Sequence, residues 1–432
     1  MELNPILISV IILCVLCVFK VNVLFSLMIS SIVAGFLAKM PIDKIMNLFI
    51  SGMGQNSETA LSYILLGTLA AAMTHTGLAK ILATKISHFI KDNRYLLIGI
   101  LVLISIMSQN LIPVHIAFIP ILIPPLLSIM NKFNLDRRLI ACSLSFGLKA
   151  PYICIPAGFG LIFQGLIADN MSQNGMEVAK LDVWKYSWIL GFAMFVALLI
   201  AIFISYRKPR IYQNTQTIEQ ENETLKFEKK HFITLFGAII TLIIQLLSGS
   251  LPLGALVGLI VIFGLRAVSH KKMDFLINEG VGLMGYIAFV MLVCAGYALV
   301  LKESGGIDSL VNSIMPFIEH SKFLAALAML LIGLIITIGI GSSFGTIPIL
   351  AVLFIPLCAK LGFSTPASIV LLCSAAALGD AGSPASDTTL GPSAGLNADN
   401  QHNHIKDTCI PTFIHFNSAL IIAALIAIYL FN

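Results

Sequence analysis

Residues 379–389 read GDAGSPASDTT, and long apolar segments flank this stretch on both sides. The stretch holds two carboxylates, Asp380 and Asp387, together with four hydroxyl side chains and the helix interrupters Gly and Pro. A carboxylate at membrane depth costs several kcal/mol, so a chain that keeps two of them there is expected to use them. The stretch is therefore predicted to be the working part of a transporter.

The composition supports this setting. The 432-residue chain is 58% hydrophobic and 11% charged, with a mean hydropathy of +0.96, which excludes an ordinary soluble fold. Several apolar runs approach or exceed the roughly 20 residues that span a bilayer: 3–19, 186–206, 232–247, 323–340 and 411–431. The fold class predicted is an all-α polytopic membrane protein.

Two regions of the chain share one order of motifs. The first has Ser-Gln-Asn at 108–110, Ile-Pro at 112–113 and 119–120, Cys-Ser at 142–143 and Ala-Asp-Asn at 168–170. The second has Ser-Ser at 342–343, Ile-Pro at 347–348 and 355–356, Cys-Ser at 373–374 and Ala-Asp-Asn at 398–400. Each region also contains a Gly/Pro-broken stretch, so five elements in the same order indicate an internal repeat of about 230 residues.

Basic residues predict how the two copies are oriented. The net charge of +5 is small and lies in short loops, which indicates topology rather than nucleic-acid binding. Residues 207–230 form a basic linker that we place in the cytoplasm, and both termini then lie outside the cytoplasm. We predict inverted repeats with about ten spans, two of them broken, and two re-entrant hairpins. The N-terminal half is 1–206 (hairpin 95–130, broken helix 138–167) and the C-terminal half is 231–432 (hairpin 323–361, broken helix 365–393).

Oxygen-bearing side chains around the second break are the candidate ion ligands. Carboxylate, hydroxyl and carbonyl oxygens suit Na⁺ or a proton, and unwinding at Gly382 and Pro384 would gather them into one cage. The alternative is structural, with Asp387 capping the following half-helix and Asp380 pairing with a basic residue. The candidates for ion binding and coupling are Asp380, Asp387, Ser383, Ser386, Thr388 and Thr389.

The first half supplies a cation and a histidine. Lys149 occupies roughly the repeat position of Asp380, where it could be a counterion for a carboxylate, an anchor for a substrate carboxylate, or a lysine that reaches an interface. His115 is either a proton carrier or a packed histidine, and packing is favoured for His75 and His415.

Polar side chains also mark the two predicted hairpin tips. Such side chains are either substrate ligands or turn residues. The candidates are Ser108, Gln109 and Asn110 at the first tip and Ser342, Ser343 and Thr346 at the second.

The run from Gly379 to Thr389, followed by His404-Ile405-Lys406, resembles the signature of NhaC-type Na⁺/H⁺ antiporters, which belong to the wider ion-transporter superfamily. The resemblance implies secondary active transport and the ion ligands named above. The family pattern often carries this signature in the first half, whereas here it lies in the second. Chains with this arrangement are similar to a branch proposed to move amino acids such as histidine.

We therefore expect an ion-coupled secondary active transporter of the inner membrane, similar to Na⁺/H⁺ antiporters and working by alternating access. The first alternative is a Na⁺- or H⁺-coupled amino-acid permease, and the second is a channel or a membrane scaffold. Enzyme and ATP-binding motifs are missing from the sequence. The expected partners are the lipid bilayer, Na⁺, H⁺ and a small amino acid, with a homodimer as one expected assembly; no cofactor and no nucleic acid are expected.

Overall fold

A computed structural model describes residues 4–19, 21–78, 81, 93–110, 115–213, 227–306, 321–340, 342–384 and 386–431. These residues form helices joined by short loops, without strands, which confirms the all-α fold class. Five of the described helices are long and apolar enough to cross a membrane, or six when one bent pair is taken as a single span. Five shorter apolar helices accompany them, so the chain is a multi-pass membrane protein, while the figure of ten spans stays a prediction.

The described helices of the N-terminal part end at Ser205, just before the basic linker. They are α1 Pro5–Val18, α2 Val23–Leu37, α3 Ile42–Met53, α4 Ser57–Thr76, α5 Arg94–Asn110, α6 His115–Lys132, α7 Arg137–Cys154, α8 Phe159–Gln173 and α9 Trp184–Ser205.

The helices of the C-terminal part begin after residue 228. They are α10 Lys229–Ser248, α11 Leu251–Gly264, α12 Met273–Glu303, α13 Lys322–Ile340, α14 Ser343–Lys360, α15 Thr365–Ala377, α16 Asp387–Leu396 and α17 His404–Phe431. Helix α17 contains two π-helical segments, His404–Cys409 and Phe413–Asn417.

Three segments meet at one end of the molecule, which we call the linker face: 134–137, 207–213 and 397–407. Arg137 binds both carboxylate oxygens of Asp399, at 2.6 and 2.5 Å, and Arg210 binds Asp407 at 2.8 Å. Burial alone would raise the pKa of Asp399, but its hydrogen bonds with Arg137 outweigh burial and hold that pKa below its usual value. Charge pairing thus fixes the start of α7 to the loop that follows α16.

Other loops and helix ends lie at the opposite end of the molecule, which we call the far face. Lys302 donates to the carbonyl of Gln173 at 2.6 Å, and Ser364 donates to the carbonyl of Phe431 at 2.8 Å. Tyr186 packs edge-on against Phe431 with ring centroids 5.5 Å apart. The ends of α8, α12 and α17 therefore share one face with the start of α9 and α15.

The two helical hairpins start from opposite faces. Arg94, at the start of α5, lies beside 134–136 and 206–208, and Asn131, at the end of α6, accepts a hydrogen bond from Arg137 at 3.1 Å. In the second hairpin, Lys322 at the start of α13 donates to the carbonyl of Gly362, just past the end of α14, at 2.7 Å. This arrangement has the inverted sense that the repeat predicts, although the limits of the two halves stay a prediction.

Candidate functional site

The second broken helix positions the candidate site. Helix α15 ends at Ala377 and α16 begins at Asp387, which leaves 378–384 and 386 outside regular helix. Gly379 and Gly382 adopt left-handed conformations, with φ of +82° and +102°. A Cβ at Gly382 would lie 2.4 Å from the Cβ of Phe413, so this turn requires glycine for both its dihedral angle and its packing. The unwound segment predicted from Gly and Pro is present.

Neighbouring helices hold the unwound segment in place. The amide of Asn417 donates to the carbonyl of Ala381 at 3.0 Å and accepts from the backbone N–H of Gly379 at 3.1 Å. Ser145 of α7 donates to the carbonyl of Thr388 at 2.8 Å. Backbone groups left open by the helix break are thereby satisfied inside the protein, as membrane depth requires.

Asp380 lies at the centre of a buried polar network and is only 3% exposed. Its Oδ2 accepts from the ammonium of Lys149 at 3.0 Å, from the hydroxyl of Tyr152 at 3.1 Å and from the hydroxyl of Ser343 at 2.9 Å. Its Oδ1 accepts from Ser386 at 2.5 Å. Lys149 is itself fully buried, so the two charges compensate each other away from solvent.

Among the described residues, three donors converge on Oδ2, which has about two lone-pair positions, and one donates to Oδ1. A cation that binds Oδ2 must therefore displace a donor, and the ammonium is the charged competitor. Ser386 also accepts from the backbone N–H of Thr388 at 3.1 Å and so caps α16, whose N-terminus faces the site. Oδ2 of Asp380 can therefore take a cation or a proton only in exchange for a donor already present.

A cavity of about 510 Å³ lies beside Asp380, and we call it the linker-side cavity because Leu390, Gly391 and Ala394 of α16 line it on the way to the linker face. It is lined mainly by apolar and aromatic side chains, and its polar lining comes from both hairpin tips and the second break: Gln109, Ser342, Ser343, Asp380 and Thr388. The Oε1 atom of Gln109 is buried without a hydrogen-bond partner among the described residues. An orphaned amide at the cavity wall fits a role in ligand binding.

The sequence matches two related family models. One, described as a Na⁺/H⁺ antiporter family, matches residues 143–427, and the other, a Na⁺-H⁺ antiporter family, matches residues 4–90. The chain belongs to the Na⁺/H⁺ antiporter family. It is accordingly a membrane transporter rather than an enzyme, and the resemblance drawn from residues 379–389 is confirmed.

Two full-length relatives of this antiporter-family chain are 45% identical to it. The uncharacterised membrane protein VP2115 of Vibrio parahaemolyticus aligns over 98% of this chain and 99% of its own length. A putative amino acid transporter of Bacillus subtilis, YuiF, aligns with the same coverage. The chain is thus similar over its whole length to proteins of the same size.

Solved transporter structures share the fold of this antiporter-family chain. The YdaH transporter of Alcanivorax borkumensis superposes with a TM-score of 0.61 at 12% identity and covers 90% of this chain and 88% of its own. MtrF of Neisseria gonorrhoeae, described with a class of antimetabolite efflux pumps, superposes with a TM-score of 0.57 at 14% identity and covers 90% and 83%. At such identities the likeness concerns the fold.

The structure brings together only part of the predicted site of the antiporter. Asp380, Lys149, Ser343 and Ser386 meet directly, and Thr388 reaches Ser386 at 2.8 Å. Three other candidates donate to nearby backbone carbonyls: Ser108 to 105, Thr346 to 342 and 343, and Thr389 to 383 and 386. Ser383 reaches the carbonyl of 338 on α13 at 3.5 Å. Ser342 caps the N-terminus of α14. The side chains of Asn110, His115 and Asp387 lie outside the described part of the structure.

Lys149 differs in position from the prediction. We expected a cation at the first helix break, but α7 continues through Pro151 to Cys154, and the chain bends only at 155–158, where Gly158 has a φ of +59°. Lys149 therefore lies within a continuous helix, which fixes the position of its backbone relative to Asp380. His75 is exposed and contacts Lys272 at 3.1 Å, and the half-buried His415 contacts Ser205 at 2.9 Å, so the packing interpretation of both histidines stays a prediction.

Sequence reasoning missed two members of the site. Tyr152 lies in an apolar run, and Asn417 follows the break by more than thirty residues, so no local pattern marked either residue. Asn417 lies with His415 and Ser418 in an otherwise apolar segment, and a polar side chain at such a position is a signal that could have found it.

Hydrogen bonds connect the second helix break with the linker face. His404, part of the family signature, contacts Ser393 at 2.7 Å and the carbonyl of Pro384 at 3.1 Å. Thr408 lies 2.8 Å from Ser393 and 2.6 Å from the Nε2 of His402. Burial lowers the pKa of His402 to about 4, so this imidazole is neutral at physiological pH.

Proposed function

We propose that this chain is a cation-coupled secondary active transporter in which the carboxylate of Asp380 takes the coupling ion, Na⁺ or H⁺, in exchange for the ammonium of Lys149. The observation that carries the proposal is the buried ion pair at 3.0 Å, within the network at the helix break. A charge pair of this kind is expensive to bury and is favoured where one partner must be exchanged.

The exchange accounts for coupling. With no cation bound, the ion pair ties α7 to the second helix break, and the carrier keeps its exposure. With Na⁺ or a proton on Asp380, the carboxylate releases Lys149 and the carrier changes its exposure, so one cation crosses only in exchange for another. Alternating access then exposes the same carboxylate to each side in turn.

An amino acid is the cargo that the cavity favours. A pure ion exchanger needs no apolar chamber of about 510 Å³, whereas pockets of about 300–1,000 Å³ hold small organic ligands. One relative is named a putative amino acid transporter. In this second function, the cargo carboxylate binds Lys149 and its amino group lies near Asp380 and the orphaned amide of Gln109.

We further propose that the linker face is cytoplasmic and that the membrane is the bacterial inner membrane. Six of the residues in 207–230 are Lys or Arg, and cytoplasmic loops carry such an excess. The homodimer expected from the sequence is part of the same proposal, and light scattering of the purified protein would test it.

Exchange in everted membrane vesicles tests the ion site. Asp380→Asn should abolish Na⁺-dependent pH recovery and leave membrane insertion intact, because the amide cannot bind a cation as the carboxylate does. Asp182→Asn, which alters an exposed pair with Lys185 at the far face, is the matched control and should exchange normally. Retained exchange in the Asp380→Asn vesicles would contradict the assignment of Asp380 as the ion site.

Uptake into proteoliposomes tests the cargo. Gradient-dependent uptake of a labelled amino acid is expected for the native chain, and Lys149→Ala should reduce it by removing the partner of the cargo carboxylate. Absence of uptake across a broad amino-acid panel, with exchange intact, would leave cation exchange as the function and rule out the amino-acid cargo.

A further inference from the structure

Five aromatic rings pack together at the inner end of the linker-side cavity, and we call them the aromatic barrier: Tyr63, Tyr152, Phe159, Phe163 and Phe344. Phe344 contacts each of the other four, with ring centroids 5.1 to 6.2 Å apart. All five side chains are buried. They come from α4, α7, α8 and α14, so the barrier joins four separate helices.

Two clefts approach the barrier from different sides. A second cleft of about 930 Å³, the far-side cleft, extends from the far face, where Gln173 and Lys180 line it, to Ser62 on α4. Tyr63, the next residue of the same helix, lines the linker-side cavity. Ile162, next to Phe163 on α8, also lines the far-side cleft, so the barrier lies where the two clefts approach each other.

Tyr152 belongs to both the barrier and the ion site. Its ring packs on Phe344 and Phe163, each at 5.1 Å, while its hydroxyl lies 3.1 Å from Oδ2 of Asp380 and 2.9 Å from the hydroxyl of Ser343. Ser343 is also 2.9 Å from the same Oδ2. The two hydroxyls have one proton each, so they can make at most two of these three contacts as hydrogen bonds at once.

That triangle has two arrangements. Either both hydroxyls donate to the carboxylate, or one donates to the other and leaves an acceptor position on Oδ2 open. A cation on Oδ2 of Asp380 requires the second arrangement, because it takes a lone pair that the hydroxyls use. Ligand binding can shift an equilibrium only through such a difference between two states.

We propose that Tyr152 couples the cation on Asp380 to the opening of the aromatic barrier, an inference that rests on the proposed function of Asp380. When a cation occupies Oδ2, the Tyr152 hydroxyl loses its carboxylate acceptor and keeps Ser343 as its only partner in the triangle. With one hydrogen bond fewer to hold it, the ring leaves Phe344 and Phe163 more readily, and the linker-side cavity then connects with the far-side cleft. Tyr152 is a positioning residue, since it acts through Asp380.

Thiol accessibility measures the barrier directly. Val290 lines the linker-side cavity, so Val290→Cys, in a background with the eight native cysteines replaced, reports on access from the far face. Intact cells receive an impermeant thiol reagent in saturating NaCl or in choline chloride, each at acidic and at alkaline pH. The cation should raise the labelling rate at least about fivefold with Tyr152 present, the lower bound of typical coupling.

Tyr152→Phe keeps the ring and removes the hydroxyl, so the labelling rate should no longer depend on the cation. Tyr297→Phe is the matched control, because the Tyr297 hydroxyl is also buried and bonds a serine, Ser9, at 2.7 Å, away from Asp380. This control should keep the full cation effect. Tyr63→Ala, which opens the barrier, should label rapidly in every condition.

The outcomes separate this inference from the ion site itself. If Asp380→Asn removes the cation effect on labelling and Tyr152→Phe keeps it, Tyr152 is not the coupling residue and the inference fails alone. If Asp380→Asn keeps the effect, the proposed function of Asp380 fails. An unchanged labelling rate with Tyr152 present would also overturn the inference. Should Tyr152→Phe not fold, Ser343→Ala, which removes the other hydroxyl of the triangle, must weaken the cation effect.

Discussion

Replacing Lys149 with methionine removes a buried charge while keeping most of the side-chain volume. Lys149 is 0% exposed and its ammonium lies 3.0 Å from Oδ2 of Asp380. Removing one partner of a buried pair costs about 3–5 kcal/mol, because the other charge is left uncompensated. Asp380 retains hydroxyl donors from Tyr152, Ser343 and Ser386, so we expect the lower end, about 3 kcal/mol.

The same substitution frees an acceptor position on Asp380 for a cation. A ligand that binds only the native state at about 100 times its Kd stabilises it by about 2.7 kcal/mol. Saturating Na⁺ should therefore return most of the stability lost in Lys149→Met. The native chain should respond much less, since its own ammonium already occupies the position.

Thermal unfolding of the purified protein, followed by the fluorescence of Trp184 and Trp188, gives the apparent Tm at a fixed scan rate. Lys149→Met should melt lower in choline chloride and recover in NaCl, and adding Asp380→Asn should remove both effects. Lys185→Met, which breaks an exposed pair, should change little. An unshifted Tm for Lys149→Met, or a loss that Na⁺ does not restore, would refute the exchange of cation and ammonium.

Three further changes test the structure around the site. Gly382→Ala should destabilise the protein by about 2 kcal/mol or more, because a Cβ there meets Phe413 and the φ of +102° disfavours it, whereas Gly99→Ala, with open space around it, should be neutral in the same melting assay. Arg137→Met should lower the yield of folded protein in the membrane, since it leaves a buried carboxylate at the linker face unpaired at a cost of about 3–5 kcal/mol; normal yield and Tm would contradict that role. His402 has a pKa of about 4 against an ordinary 6.5, so its contribution to the stability of the fold is present above pH 6.5 and is lost as the pH falls towards 4, by up to about 3 kcal/mol. His402→Gln should therefore make the stability of the fold depend less on pH between 6.5 and 4, as measured by unfolding at a series of pH values.

The architecture could be predicted from the sequence because bilayer physics leaves few choices. Apolar runs predict spans, and Gly379, Gly382 and Pro384 predict unwinding where helices must otherwise continue. The order of short motifs also predicted two hairpins of opposite sense, which the contacts of Asn131 and Lys322 now support.

The contacts within the site were less predictable. Lys149 and Asp380 are 231 residues apart, and only the packing of α7 against the second break decides that they meet. Thr346 and Ser108 looked equivalent to Ser343 in sequence, yet their hydroxyls bond their own helices, because each faces along the helix rather than into the cavity. Periodicity cannot distinguish these cases at a broken helix.

Gradient-driven transport by the Asp380→Asn variant in proteoliposomes tests the central claim most directly. The proposed mechanism requires the carboxylate whether Na⁺ or H⁺ is the coupling ion. With a Na⁺ gradient and then a pH gradient imposed, the native chain and Asp182→Asn should transport, and Asp380→Asn should show no gradient-driven flux above empty liposomes. Flux through Asp380→Asn at the native rate under either gradient would contradict the claim that this carboxylate carries the coupling ion.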